Sequence, residues 1–541
     1  MVDMKEKNKS YIECLREISA DELYDGLLGY GMFAEKIPPI FTSKAFLKYC
    51  QKRNRSFQKI EHDYVSVNVT RNNNKIRVMG IPNPMAYHFL CKFLSENWDN
   101  IIDYFNETTG YQGDKISRVH IRKCKDRKSL FKMNYDNWKV DGEPQIDWRI
   151  GKHYIVKADI SNCFPSIYTH ALTWAIDGKE TAKQEANMHV KKWSKDIDAY
   201  AMNLKSRETH GLLIGPHASN LISEIILTKV DKRLNQSNND WKYTRYVDDY
   251  TCYVNSYDEA ELFLTELQRN LHAYDLTLNN SKSAIEKLPI SEAEDRFNII
   301  KRAVSTFLIN GGGQNIKRTD GKEYIKLNYK EVKNFLDLSI SLSEKQPLNV
   351  AVITYAVKVL TNEDDYILSQ NAKIYLYKTC LYLVGIYPYL WPVVYERVLD
   401  EINEVDIKKK LSENALCSAM KSGNLESAYY ALCAAIKYNY DISLDVDWIK
   451  DSNDCLLYLI SWLYAKKKKE KDILKMLKDI AIQLSSTITD MERNWIFVYE
   501  CLTKDELRKL GDYGNDWSAL KKHGVSFIRN EYKNKYRKKE I

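Results

Sequence analysis

Arg245-Tyr246-Val247-Asp248-Asp249-Tyr250 constrains this chain more than any other stretch. Two adjacent carboxylates sit between aromatic residues, and Thr251-Cys252-Tyr253-Val254 follows. The β-branched and aromatic flanks predict a strand, a tight turn and a second strand. A hairpin tip carrying Asp-Asp forces like charges together, which by itself raises a carboxyl pKa and stabilises nothing. A divalent cation resolves that conflict. Mg²⁺ takes carboxylate oxygens together with substrate phosphates.

A second acid has the same character. Tyr154-Ile155-Val156-Lys157-Ala158-Asp159-Ile160 reads as an apolar strand ending in a carboxylate, and Ser161 to Ile167 leads into a helix. A buried acid there is costly unless it is paired, metal-bound or used as a helix N-cap. If this strand and the Asp248-Asp249 hairpin are sheet neighbours, three carboxylates meet at one point. Nucleotidyl transfer needs such a point, because two metals about 4 Å apart clamp the attacking and leaving oxygens.

The rest of the first 310 residues supplies context. Ser19-Ala20-Asp21-Glu22 has the look of a capped helix start, and Ser43 to Arg53 reads as a short helix. Tyr64 to Thr70 alternates with period two, Arg71 to Lys75 is a turn, and Ile76 to Ile81 is the return strand. Met85 to Trp98 is an amphipathic helix. Arg118 to Lys128 is basic and partly alternating: either a solvated edge strand or a cradle for a triphosphate. Gly215 and Pro216, in His210 to Asn220, permit close backbone approach ahead of a long helix over Leu221 to Leu234. Ala260 to Tyr274 is a helix, and Leu276 to Lys282 is a strand and turn presenting one lysine. Gly311-Gly312-Gly313 and Thr319-Asp320-Gly321-Lys322 mark a hairpin or linker.

From about 346 strand signals vanish. Helical stretches recur at 348–360, 368–386, 391–403, 408–421, 424–438, 445–465, 471–485, 492–502 and 504–511. The basic end, Arg529 to Ile541, reads as a mobile tail. The expected division is a helical segment over 1–60, a catalytic unit over 61–310, a connection over 311–345 and an α-helical domain over 346–541. Composition narrows the class. The eleven cysteines are scattered singly without a C-x-x-C pair, which argues against zinc and disulfides and fits a reducing cytoplasm. No apolar run approaches the ~18 residues of a membrane span, and the polar stretch Met1 to Ser10 is no signal peptide. The net charge of +8 fits a polyanionic partner.

The ordered series is a basic strand, strand-Asp-x4-Phe, a Gly-Pro loop with helix, Tyr-Val-Asp-Asp, then Leu-x-Leu-Asn-x-x-Lys. It resembles reverse transcriptases over roughly residues 60–310. The resemblance implies an α+β fold with right-hand polymerase palm and fingers. Asp159, Asp248 and Asp249 would carry two Mg²⁺ ions, with Mn²⁺ as a substitute, and the backbone carbonyl of Ile160 would be a further ligand. Phe164 would abut the sugar of an incoming dNTP and exclude a 2′-hydroxyl. Lys282 would sit near the leaving pyrophosphate. Gly215 would lie at the nucleotide, with Arg118, Arg122 and Lys123 where the fingers hold a triphosphate.

Two features depart from the commoner pattern: Leu213-Ile214-Gly215-Pro216-His217-Ala218-Ser219 in place of a Pro-Gln-Gly-like start, and a long helical domain in place of a compact thumb. Both, with Phe131 to Trp138, Asn162-Cys163-Phe164-Pro165-Ser166-Ile167 and Trp517 to Phe527, are similar to the bacterial abortive-infection and defence-associated reverse transcriptases. That resemblance implies an all-α, HEAT-like C-terminal domain, a homo-oligomer (trimer or hexamer) and a cytoplasmic role in antiphage defence. DNA synthesis would be RNA-directed or untemplated, primed from a protein hydroxyl or coupled to a non-coding RNA. The alternative is a catalytically silent RNA-binding scaffold that retains the palm fold.

Overall fold

The computed structural model describes residues 9–52, 57–123, 131–133, 141–142, 144–185, 191–237, 241–289, 299–300, 303, 314–317, 323–362, 366–511 and 514–533. The glycine run at 311–313, the turn at 319–322, the basic residues 125–128, most of the 131–138 stretch and the end of the chain from 534 lie outside these residues.

The N-terminal segment is helical. Ser10 and Ser19 each close a capping box, with Glu13 and Glu22 as reciprocal partners, and start the helices Tyr11–Arg16 and Ala20–Tyr30. Strands β1 (Val65–Thr70) and β2 (Ile76–Ile81) form the antiparallel hairpin that alternation predicts. Val65, Val67 and Val69 point into the core, while Ser66 and Asn68 face solvent. Strands β3 (Arg122–Lys123) and β4 (Phe131–Lys132) make a short second hairpin.

The central sheet is wholly antiparallel. Strand β5 (Tyr154–Asp159) lies between β7 (Asp249–Val254) and β8 (Ala284–Lys287), and β6 (Lys242–Tyr246) pairs with the outer side of β7. The Tyr257–His272 helix packs on β5, β7 and β8, and the 19-residue helix His217–Asn235 packs on it in turn. Beyond the palm, β9 (Gln314–Lys317) and β10 (Glu323–Leu327) form a hairpin, and β11 (Tyr366–Leu368) adds in parallel to β10. Strand structure therefore persists past residue 346, against the sequence expectation. A three-residue strand carries too little periodicity to be seen, and β10 supplies its partner. The connection over 311–345 also contains a full helix, Tyr329–Glu344, opened by an Asn328–Glu331 capping box.

The expected helical array is present, with three splits, the first at Val398, where the 391–403 stretch divides into Trp391–Arg397 and a short 3₁₀ turn Leu399–Glu401. The 445–465 stretch divides at Asp454, whose carboxylate caps a new helix at Leu457, and the 492–502 stretch divides at Asn494. The Leu425–Tyr438 helix is buried continuously from Glu426 to Ile436, which makes it the axis of the array. It touches helices on several sides and also β1.

This domain is fused to the N-terminal half. One hydrophobic core runs through both, with Phe527 packed on Trp495, Tyr499, Phe46 and Phe33. Arg529 and Tyr532, expected in a mobile tail, are docked. Arg529 donates to the Phe41 carbonyl at 3.0 Å, and the buried Tyr532 hydroxyl meets that of Tyr395 at 2.8 Å. Buried acids of the helical domain accept from the backbone of the N-terminal half: Glu426 from Thr70 N–H at 2.7 Å, Glu492 from Asp63 N–H at 2.9 Å and Asp516 from Gln58 N–H at 2.8 Å.

Glu426 is 3% exposed, and burial pushes its carboxyl up to about 7 despite the Thr70 hydrogen bonds. A raised carboxyl pKa contributes stability that is full below the unfolded value and is lost as pH rises through the folded one. Glu426→Gln keeps an acceptor for Thr70 and removes that loss. Denaturant melts should show the variant and wild type alike near pH 4.5, and the variant more stable at pH 8 by roughly 1–3 kcal/mol.

Candidate active site

The carboxylates converge because of the sheet register. Asp159, the last residue of β5, is the direct cross-strand partner of Asp249, the first residue of β7. Partners in such a ladder hold their Cβ atoms about 5 Å apart on one face. Val247 and Asp248 form the two-residue turn between Tyr246 and Asp249. The Asp248 carbonyl accepts the N–H of Ile160 at 3.0 Å, which fixes the turn against the end of β5.

The downstream loop closes the site from the other side. Leu278 bridges Ile160, Asn279 N–H donates to the Asp159 carbonyl at 2.7 Å and Ser161 N–H donates to the Thr277 carbonyl at 2.8 Å. That pairing delivers two side chains to Asp159. Lys282 Nζ donates to Oδ2 at 2.8 Å and Asn279 Nδ2 to Oδ1 at 3.1 Å. The Asp159 side chain is 8% exposed and that of Lys282 58%, so the lysine reaches in from solvent. Asn279 was not singled out as a site residue from the sequence. Its signal was its place in Leu276-Thr277-Leu278-Asn279, one residue past a strand that reaches Asp159.

The electrostatics follow from this crowding. Burial raises the Asp248 carboxyl above the usual range, and the neighbouring Asp159 adds to it. Asp249 lies exposed at the start of β7, yet partial desolvation of its carboxyl, the Asp248 charge and the contact with Asp159 push it up to about 7. Three carboxylates face one ammonium, so a proton is held where a stronger cation would replace it. All the donors are hard oxygens, the set that Mg²⁺ and Mn²⁺ take. Among the described residues no three His, Cys, Asp or Glu side chains stand where they could together hold a metal ion. Lys282 holds one Asp159 oxygen instead. The donor types at this point, three carboxylates with one held protonated, are those that would accept a divalent cation.

The other expected residues divide into two groups. Phe164 lies in a single helical turn, Cys163–Ser166, entered through Asn162 at φ 44°. Its half-buried ring packs on the core, and its carbonyl accepts from Leu212 N–H at 2.8 Å, tying this turn to the Gly-Pro loop. Gly215 has φ 126°, and a side chain there would meet the Ala34 methyl at 2.8 Å. The close approach that the glycine permits is therefore to the N-terminal segment. The same loop takes a Gly80 N–H on Ile214 at 3.0 Å and gives the His217 N–H to Gly31 at 2.8 Å.

Arg118, Arg122 and Lys123 are committed elsewhere. Arg118 is 1% exposed and donates to the Gly142 carbonyl, Arg122 pairs with Asp141, and Lys123 pairs with Glu22 at 2.6 Å. Asp141 also takes Lys115 at 2.9 Å and His120 at 3.1 Å. The structure gives Arg122 and Lys123 separate carboxylate partners and Arg118 a backbone carbonyl. The acids, Glu22 and Asp141, lie outside the basic stretch and gave no sign of pairing with it.

Residues 117–299 match the family model described as reverse transcriptase (RNA-dependent DNA polymerase). No curated protein matches the chain. Among solved structures, telomerase from Candida albicans in complex with a TWJ fragment of telomeric RNA aligns at 12% identity. The alignment covers 74% of this chain and 70% of that one, with a TM-score of 0.28. Apo telomerase from Candida tropicalis aligns at 12% identity over 72% and 73%, with a TM-score of 0.30. With Asp159, Asp248 and Asp249 at one end of an antiparallel palm sheet inside the matched segment, the chain contains a reverse transcriptase domain.

Proposed function

We propose that this chain is a DNA polymerase of the reverse transcriptase type, joining dNTPs by two-metal nucleotidyl transfer. A reverse transcriptase domain implies RNA-directed DNA polymerase activity. The observation that carries the mechanism is the direct pairing of Asp159 with Asp249 beside Asp248, in a setting where one of these acids retains its proton to about neutral pH. Asp159, Asp248 and Asp249, with the Ile160 carbonyl, would hold two Mg²⁺ ions or Mn²⁺ in their place. When bound, such ions lower the charge cost at the attacking 3′ oxygen and at the departing pyrophosphate.

The chain's own groups do the rest. Lys282, released from Asp159, is an ammonium on a flexible stem that can meet the pyrophosphate as acid or counter-charge. Phe164 stands in the turn after Asp159, where a ring would press on the sugar and reject a 2′-hydroxyl. The Leu212 N–H bond to the Phe164 carbonyl ties the Gly-Pro loop to that turn, and Gly215 would lie at the nucleotide.

The wider reading rests on the resemblance to defence-associated reverse transcriptases. It makes residues 61–310 fingers and palm, 311–345 a thumb-like connection and 346–541 a HEAT-like domain. It also makes the protein a cytoplasmic homo-oligomer in antiphage defence, with synthesis protein-primed or coupled to a non-coding RNA. The helical half supports this reading in that Glu426 and Asn424 hold Thr70 at the end of β1 from outside.

Purified protein incubated with labelled dNTPs and Mg²⁺ should incorporate label. Asp248→Asn and Asp249→Asn should each lower the rate by about 10³-fold or more, the scale of losing a metal clamp. Absence of incorporation by wild type across protein, RNA and DNA primers would refute the proposal. Phe164→Ala should raise rNTP use relative to dNTP use by about 10-fold or more, read as a ratio of kcat/KM values. Unchanged discrimination would remove Phe164 from the sugar gate.

A further inference from the structure

We infer that Arg245 is the positioning residue of the carboxylate turn: its buried guanidinium holds Val247 in a strained conformation and so sets Asp248 and Asp249 for divalent cations. The inference rests on the metal reading above and adds to it a residue that touches neither cation nor substrate.

The Arg245 side chain is fully buried, and all of its donors are used. Nε and Nη2 donate to Asp231 Oδ2 at 3.0 and 2.8 Å. Nη1 and Nη2 donate to Glu224 Oε1 and Oε2 at 2.7 and 3.3 Å. Nη1 also donates to the Val247 carbonyl at 3.1 Å. These are five contacts for the five N–H bonds of a guanidinium. Glu224 and Asp231 lie two turns apart on one face of the His217–Asn235 helix, so the fork is bolted to a rigid element. Glu224 is held in turn by the Tyr11 hydroxyl at 3.4 Å.

Burial of a guanidinium explains the two carboxylates, since a buried charge must be paired. It does not explain the third contact. Val247 has φ 60°. That region is a rare outlier for a β-branched side chain and persists only where the surroundings impose it. Val247 is the first turn residue, followed directly by Asp248 and Asp249. The strained residue and the two carboxylates are thus consecutive, and the donor to its carbonyl stands two positions upstream. Arg245 also lies opposite Tyr250 in the ladder, and its backbone pairs with Ile116 and Arg118, so its own position is fixed before it acts on Val247.

The test is a double-mutant cycle read by Mn²⁺ binding in the full-length chain. Arg245→Lys keeps the buried positive charge, but a single ammonium cannot span both acids and Val247 as the fork does. Val247→Gly takes φ 60° without strain and has less need of a hold. Arg245→Lys should weaken Mn²⁺ binding, followed by its electron paramagnetic resonance signal, by about 10-fold. In the Val247→Gly background the same change should cost under about 3-fold. Amide hydrogen exchange at residues 246–250 should quicken in Arg245→Lys and less so in the double variant.

Equal losses in both backgrounds, or unchanged binding and exchange in a folded Arg245→Lys, would overturn the positioning role. If Arg245→Lys does not fold, Glu224→Gln loosens the fork while leaving Arg245 in place, and the same two readouts apply to it. A wild type that does not bind Mn²⁺ would overturn the metal reading, and the exchange measurement would still decide the hold of Arg245 on the turn.

Discussion

Everything near this end of the palm sheet answers one electrostatic problem: three carboxylates held together, Asp159 buried, Asp248 half-buried and Asp249 at the surface. The β5–β7 register creates it, because Asp159 and Asp249 are ladder partners and cannot move apart without shifting both strands. A slip of one residue would turn the whole apolar face of β5 outward, so the core itself enforces the repulsion. The surroundings offset it locally. Lys282 and Asn279 are brought to Asp159 by a backbone bridge, and the Asp248 carbonyl is pinned by Ile160. A fold seldom concentrates like charge in this way without a use for it.

The helical half solves a different problem by similar means. Glu426, Glu492 and Asp516 are buried acids whose oxygens serve backbone N–H groups of the first 70 residues. Glu492 also gathers Lys59 and His62, at 2.6 and 2.8 Å. These bonds cross an interface that is otherwise aromatic and aliphatic, where an unmet N–H would be expensive. They give the joint between the halves a defined register, where apolar packing alone would allow sliding.

The palm was legible in the sequence because its signals are local. Tyr154 to Asp159 and Tyr243 to Val254 carry β-branched and aromatic runs bounded by turn residues, and the order of acids, Gly-Pro loop and lysine suggested that they meet. The helical stretches were legible for the same reason, to within a few residues at most ends. What did not show in the sequence depended on distant partners. Arg118 reads as a surface cation, yet Gly142 and the β6 backbone bury it. Arg245 reads as the flank of a motif, and only the facing helix shows what it holds. The tail at Arg529 and Tyr532 reads as loose, because Phe41 and Tyr395 are far away in the chain.

The β1–β2 hairpin has its tip inside the helical half. Val350 N–H bonds the Asn72 carbonyl at 2.7 Å, Asn72 meets Asn349 at 3.0 Å, and Thr70 is held by both Asn424 and Glu426. A hairpin anchored at its free end cannot swing on its own. Any displacement of β1 and β2 carries the helical half with it as one lever, so a force on the outer helices reaches the hairpin directly.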